Sequence, residues 1–240
     1  MDAPFISQWT VPIRMAMKET GPATDWAEVD RWERGASWIA YPDEAMERAS
    51  HVLSTDAGVF VVDPVDAEGI DDLYAEFGDV AGVVLLLARH KRDCAAVARR
   101  HDVPVYVPDW MSGVEDDIDA PVERVHRQLP DTDYGIHKII KNPFWQEAAL
   151  YGDDDDTLVV AEAVGTADFF LAGSERLGVH PALRLKPPTK LGRLTPERIL
   201  VGHGSGVMED AEAALTDALK GSRGRAPSLY AKTVKSLVFG

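Results

Sequence analysis

Six consecutive residues, Arg89-His90-Lys91-Arg92-Asp93-Cys94, put three cations, an imidazole, a carboxylate and a thiol into one short stretch. That mixture suits anion binding by the cations or metal ligation by the other groups. A second concentration is Gly202-His203-Gly204-Ser205-Gly206, an imidazole between glycines after an apolar run. His203 there reads as a ligand or as a histidine that hydrogen-bonds a loop. The glycine-rich stretch could also cradle a phosphate at a helix start, although it lacks the Lys-Ser/Thr pair of a nucleotide loop. Cys94 is the single cysteine, which excludes an internal disulfide framework and a cysteine-only zinc site. As a small residue at a helix start, it equally suits burial. Ser54, Ser174 and Ser205 have no nucleophile-elbow context. The run Asp153-Asp154-Asp155-Asp156 lacks the alternating spacing and glycine of a calcium loop and reads as a solvated turn. His101, His126, His137 and His180 are scattered and read as surface or hydrogen-bonded residues.

The elements that must position these groups follow from hydrophobic pattern. His51 to Thr55, a turn at Asp56-Ala57-Gly58, and Val59 to Val62 read as a hairpin. Its second arm is continuously apolar, as expected of a strand buried on both faces. A helix is expected over Ile70–Phe77, a buried strand over Val80–Leu87, a helix over Ala95–His101 and a strand over Val103–Val107. The stretch from Ile118 to Tyr151 reads as short strands, and Thr157–Val160 and Ile199–Val201 as buried ones. Two helices are expected at the end, over Asp210–Leu219 and Leu229–Leu237. Before residue 50 the pattern is irregular: a short strand near Ile6–Ile13, then mixed turn and helix through Glu44–Arg48. With no repeat, low-complexity linker or composition break, residues 1–240 read as a single domain of mixed α/β sandwich type.

Forty acids against 25 bases give a formal net charge of −15 in 240 residues, with a pI near 4.8. Such a chain repels nucleic-acid phosphates and anionic lipid at long range, so neither is expected as a partner. Acid spread along the chain, with lysine scarce, suits a surface kept hydrated in concentrated salt and points to a halophilic source. There is no apolar run long enough for a membrane span and no secretory pattern at Met1-Asp2-Ala3-Pro4, so a cytoplasmic address is expected.

Val59-Phe60-Val61-Val62-Asp63-Pro64, a helix, Val83 to Leu87 running into Ala88 to Cys94, and the late Ile199-Leu200-Val201-Gly202-His203-Gly204 occur in that order. Together they resemble the metallo-β-lactamase fold superfamily. There a "DP" turn ends a strand, the next strand delivers a Thr-His-x-His-x-Asp-His loop, and a late Gly-His-Gly supplies the last ligand. The resemblance covers about residues 50–219, leaving 1–50 as an irregular extension, and implies a four-layer αβ/βα sandwich with metal at one end. Anchored on Asp93, it puts Arg89 and Lys91 at the first two histidine positions and Cys94 at the last. Glu162 falls at the bridging aspartate and His203 at the Gly-His-Gly histidine, and Lys141 to Trp145 offer no histidine. A register shifted by one residue would aim His90 into the site but lose the Asp93 match, and ranks lower.

Two cations in ligand positions repel a divalent ion, and an arginine cannot lose its charge to become a ligand. The resemblance therefore implies a degenerate member without a two-zinc centre and with no metal cofactor. In its place, Arg89, Lys91 and His203, closed by Glu162, would bind a small anionic molecule. Alternatively, Arg89 and Lys91 form internal ion pairs with Asp63, Asp93 and Glu162. A second expectation is a mononuclear hydrolase in which Asp93, Cys94, Glu162 and His203 hold zinc, iron or manganese. A third is a non-catalytic scaffold whose tryptophan-rich start, Trp9, Trp26, Trp32 and Trp38, covers a sheet edge or forms a homodimer contact; alternatively these rings pack onto the same chain.

Overall fold

The structure, a computed structural model, describes residues 17–239; the strand expected near Ile6–Ile13 and Trp9 lie outside them. Seven strands form the first sheet: β1 (Ala27–Trp32), β2 (Gly35–Ile39), β3 (Ala49–Thr55), β4 (Gly58–Val62), β5 (Val80–Val84), β6 (Val105–Pro108) and β7 (Val122–Val125). The first four pair antiparallel, and β4 to β7 run parallel. The parallel part needs crossovers, two of which contain α1 (Ile70–Ala75) and α2 (Cys94–His101). The second sheet starts with a long hairpin, β8 (Tyr134–Asn142) and β9 (Trp145–Gly152), where only short strands were expected. It continues with β10 (Thr157–Val160). A short pair, β11 (Val164–Gly165) and β12 (Gly178–Val179), comes next in the chain, and β13 (Arg198–Val201) then pairs parallel to β10.

Alternation along each strand builds the layers. Phe60 and Val62 of β4, with Leu53, Val84 and Leu86, face Ala148, Leu150, Val159 and Leu200 of the second sheet. Val59 and Val61 point the other way, onto Leu73 of α1 and Val97 and Ala98 of α2. Leu158, Val160, Ile199 and Val201 pack against Ala211, Leu215 and Ala218 of α3 (Ala211–Phe239). Each central strand is covered on both faces, which is why its sequence is continuously apolar. The result is the four-layer αβ/βα sandwich that the resemblance implies.

Two local expectations are corrected. Residues 27–39 form the antiparallel edge hairpin of the first sheet, and 44–48 are turns without a helix. Trp38, fully buried, donates its indole N–H to the Val65 carbonyl at 3.0 Å and packs on Tyr74. The two helices expected at the end are one, α3, continuous through Gly221, Gly224 and Pro227. Those residues weaken a helix locally. Tertiary contacts override them: Ser222 donates to the Arg184 carbonyl, and Arg184, itself buried, forms a two-pronged pair with Glu175.

Candidate metal centre

The chemistry gathers where the parallel strands end. β4 ends at Val62 and is followed by Asp63; β5 continues through Leu85–Leu87 to Arg89 and His90; β10 leads to Glu162 and β13 to His203. Sheets of this kind present loops at the carboxyl ends of their strands, because the crossovers leave those ends open. Local backbone explains the Gly-His-Gly. A Cβ at Gly202 would lie 2.1 Å from the Ala161 carbonyl oxygen, so only glycine lets β13 approach the strand that carries Glu162. Gly204 has φ +92°, a left-handed conformation that turns the chain directly after His203.

His90, Glu162 and His203 are buried and offer ligand atoms that all lie within 4.8 Å of one another. His203 Nδ1 is 2.8 Å from the Met46 carbonyl. A carbonyl only accepts, so Nδ1 carries the hydrogen and Nε2 presents a bare lone pair. That Nε2 has no hydrogen-bond partner although it is buried. Burial, with His90 and Arg92 close by, holds the His203 pKa well below the usual histidine range. His90 Nδ1 lies 3.3 Å from Asp63 Oδ2, which assigns the hydrogen to Nδ1 again and orients the ring. Its Nε2 then faces Glu162 Oε2 at 3.4 Å, an arrangement of two electron-rich atoms that needs a proton or a cation between them.

Glu162 is the anionic centre. Burial opposes its ionisation, but the hydrogen bonds from His180 and Arg89 and the pull of a cation or proton at His90 outweigh that and hold its carboxyl well below the usual range. Arg89 donates to Oε2 at 2.8 Å while its guanidinium stacks 3.9 Å over Trp145. His180 takes the Ala182 N–H on Nδ1, so its Nε2–H is the side aimed at Glu162 Oε1, 3.5 Å away. Beneath lies Glu147, fully buried, which accepts the backbone N–H groups of Glu162 and Ala163 at 2.7 and 2.8 Å and the Trp145 indole at 2.6 Å. Burial nevertheless pushes its pKa up to about 7. Phe169 and Phe170 close the cluster, with rings 5.7 and 5.8 Å from that of His203.

Of the metal ligands inferred from sequence, the structure brings Glu162 and His203 together and places Asp93 and Cys94 elsewhere. Asp93 stands at the start of α2 and accepts the Asp66 N–H at 2.9 Å. Cys94 is buried beneath the His90 carbonyl, Sγ to O 3.9 Å, and burial raises its thiol pKa well above the usual value. A buried neutral thiol is a poor ligand. The anion pocket of Arg89, Lys91 and His203 is likewise not assembled: Arg89 lies on Glu162, and Lys91 turns outward to Asp117. The Arg89–Glu162 pair is one of the internal ion pairs considered from sequence. Arg92 is partly buried as a residue, with its guanidinium inward, where it donates to the carbonyls of Ala49, Asp63 and Gly202. His90, ranked below Asp93, is the loop's contribution to the cluster, and His180, read as a surface or hydrogen-bonded residue, joins it through Glu162. No sequence signal marked His90: Arg92, with φ +39°, turns the loop, and its guanidinium donates to the Asp63 carbonyl.

Two imidazoles and a carboxylate are a ligand set for zinc or for iron(II). Both nitrogens that would bind are free of hydrogen, and both rings are held from behind, by Asp63 and by the Met46 carbonyl. The residues fit one ion. For a second they do not: this is the only such cluster among the described residues, and the cation of Arg92 is buried close to His203.

No family model and no curated protein matches the sequence. Solved structures do match. The DIM-1 metallo-β-lactamase exposed to ceftazidime is 12% identical at a TM-score of 0.60, covering 86% of this chain and 99% of its own. A metallo-β-lactamase from Pontibacter korlensis is 11% identical at a TM-score of 0.59, covering 82% and 99%. The chemotaxis sensor ODP with a peroxy diiron species is 11% identical at a TM-score of 0.53, covering 87% and 99%.

Proposed function

We propose, proceeding from the metallo-β-lactamase fold that this chain has, that it is a one-metal, hydrolase-like protein in which His90, Glu162 and His203 hold a single divalent ion. The observation that carries this reading is the orphaned, buried Nε2 of His203, hydrogen-free and facing the same point as His90 and Glu162. Zinc or iron at such a centre supplies a Lewis acid and lowers the pKa of bound water. Asp63 and the Met46 carbonyl fix the two imidazole tautomers. Arg89, held over Trp145, partly neutralises Glu162 and gives the rim a positive group suited to a carboxylate or phosphate of a small anionic substrate. Phe169 and Phe170 exclude water. The two-metal arrangement of the fold is reduced here, because Arg92 supplies a permanent buried charge near His203.

One observation favours a metal-free alternative, the degenerate protein inferred from sequence: Glu162 already receives Arg89, His90 and His180. A protonated His90 would then stand where the ion would. Metal content by plasma mass spectrometry, on protein purified without chelator, decides between the two. About one equivalent of zinc, iron or manganese, lost in His203→Ala and in His90→Ala, is the expected result. Less than about a tenth of an equivalent, with no zinc-induced rise in melting temperature, rejects the metal centre and leaves the degenerate protein.

A further inference from the structure

Charge is distributed unevenly over this acidic molecule. Residues 176–196 and 218–240 contain ten of the 25 cations and none of the 40 acids, so the rest of the chain carries 40 acids against 15 bases. The fold lays these two stretches side by side. Arg223 Nε donates to the Leu185 carbonyl and the Tyr230 hydroxyl to the Pro181 carbonyl, both at 3.0 Å. At helical spacing Lys220, Arg223, Pro227, Tyr230 and Val234 fall in one stripe of α3, which therefore runs along the 181–185 segment.

That face is also where apolar side chains are left in water. Leu185 is 66% exposed, Val234 59% and Tyr230 38%, three of the five large hydrophobic residues exposed among the described residues. The cations there differ in use. Arg225 and Lys232 bind Asp217 and Asp168, which keeps them on the molecule's own surface. Lys186, Lys220 and Arg223 are exposed and, among the described residues, have no carboxylate partner. Arg223 is held by its Nε hydrogen bond to the Leu185 carbonyl, and its terminal nitrogens bond no carboxylate among the described residues. Between the two stretches is a cleft of about 490 Å³ bordered by Pro187, Thr189, Gly192, Thr216, Lys220 and Arg223.

We propose that this face docks on an anionic phospholipid surface. Leu185, Tyr230 and Val234 enter the interfacial layer, Lys186, Lys220 and Arg223 lie among the phosphates, and one headgroup phosphate occupies the cleft. A face built from two acid-free stretches, in which lysine and arginine stand beside exposed aliphatic residues and a tyrosine, has the chemistry of peripheral lipid binding. No helix among the described residues is long and apolar enough to cross a membrane, and the contact inferred is at the surface. The net charge argued against lipid because it averages two unlike faces. Charges farther from the contact than a Debye length, about 8 Å in physiological salt, are screened, while the basic face is nearest.

Co-sedimentation of the full chain with phosphatidylcholine vesicles, with and without phosphatidylglycerol, tests this at low and high salt. Binding is expected only with phosphatidylglycerol, to fall with salt, and to weaken about tenfold or more in Lys220→Glu/Arg223→Glu. Leu185→Ser/Val234→Ser should weaken it while leaving the salt dependence in place, and His203→Ala should bind as the parent does. All these surface substitutions sit at exposed positions and should leave the melting temperature unchanged. Failure of the parent to sediment with phosphatidylglycerol vesicles at low salt overturns the proposal, as does undiminished binding by both double variants. If glycerol phosphate protects the parent in a melting assay, and not Lys220→Glu/Arg223→Glu, while vesicles do nothing, the cleft is a small-molecule site and lipid docking is rejected.

Discussion

Asp63→Asn keeps the size of the side chain after β4 and removes the charge that orients His90. Metal retention should fall about 10- to 100-fold, the usual effect of losing an outer-shell carboxylate, as read by competition with a chromophoric chelator. Single buried residues also set the pH response. His51 is buried beside Ser37, and burial, with Arg92 nearby, depresses its pKa from 6.5 to about 3. Its stabilising contribution is therefore complete above pH 6.5 and is lost as pH falls toward 3, by about 5 kcal/mol at most. Glu147 has the opposite sign. Raised from 4.5 to about 7, it favours the folded state below pH 4.5 and loses that contribution as pH rises through 7, by about 3 kcal/mol. Between pH 4.5 and 6.5 the two oppose each other. In chemical denaturation at a series of pH values, Glu147→Gln should abolish the decline between pH 4.5 and 7, and His51→Gln should flatten the acid limb. His90 was hidden from sequence at this same scale, because which of four adjacent side chains turns inward depends on one left-handed residue, Arg92.

At the scale of elements, the site depends on how closely strands approach. Gly202→Ala would drive a methyl group against the Ala161 carbonyl and push apart the ends of β10 and β13. We expect a stability loss of about 1–3 kcal/mol, and metal binding weakened more than in substitutions elsewhere in the core, measured by urea unfolding and by metal content. A buried ion pair lies under α3. Arg184 is buried with Glu175, and Arg184→Ala would leave that carboxylate with Arg225, 3.2 Å away, and the Ala172 N–H at 2.8 Å. Removing one partner of a buried pair costs about 3–5 kcal/mol, and Arg225 places the expected loss toward the lower end, as urea unfolding would show. Strands β4, β5, β10 and β13 were legible because burial on both faces demands uninterrupted apolar runs. The β1–β2 hairpin was not, since alternating Asp30, Arg31 and Trp32 is the pattern of a half-exposed edge. Continuous α3 was not legible either, because its glycines and proline are local penalties that tertiary contacts overcome.

The whole molecule carries a net charge of −15, and self-repulsion of that size is relieved by screening. The melting temperature should therefore rise from low to molar sodium chloride, whereas a flat profile would show that internal pairs already neutralise the surface field. Such pairs are numerous: Arg100 with Asp66 and Asp71, Arg198 with Asp155, and Arg31 with Glu28 and Glu76 are examples.

The buried strands, the Asp63-Pro64 turn and the glycines around His203 were readable in the chain, because they are short-range facts. The layer order, the position of the site at one end of the sandwich and Glu162 and His203 as its candidate groups were implied by the resemblance that those segments carry. Tertiary structure alone decided that His90 replaces Asp93 and Cys94, that Lys91 faces solvent, and that His180 reaches Glu162. It also decided that two acid-free stretches meet on one face. Each of these is a contact between residues far apart in sequence, or a choice among rotations of a single turn, and neither leaves a periodic trace.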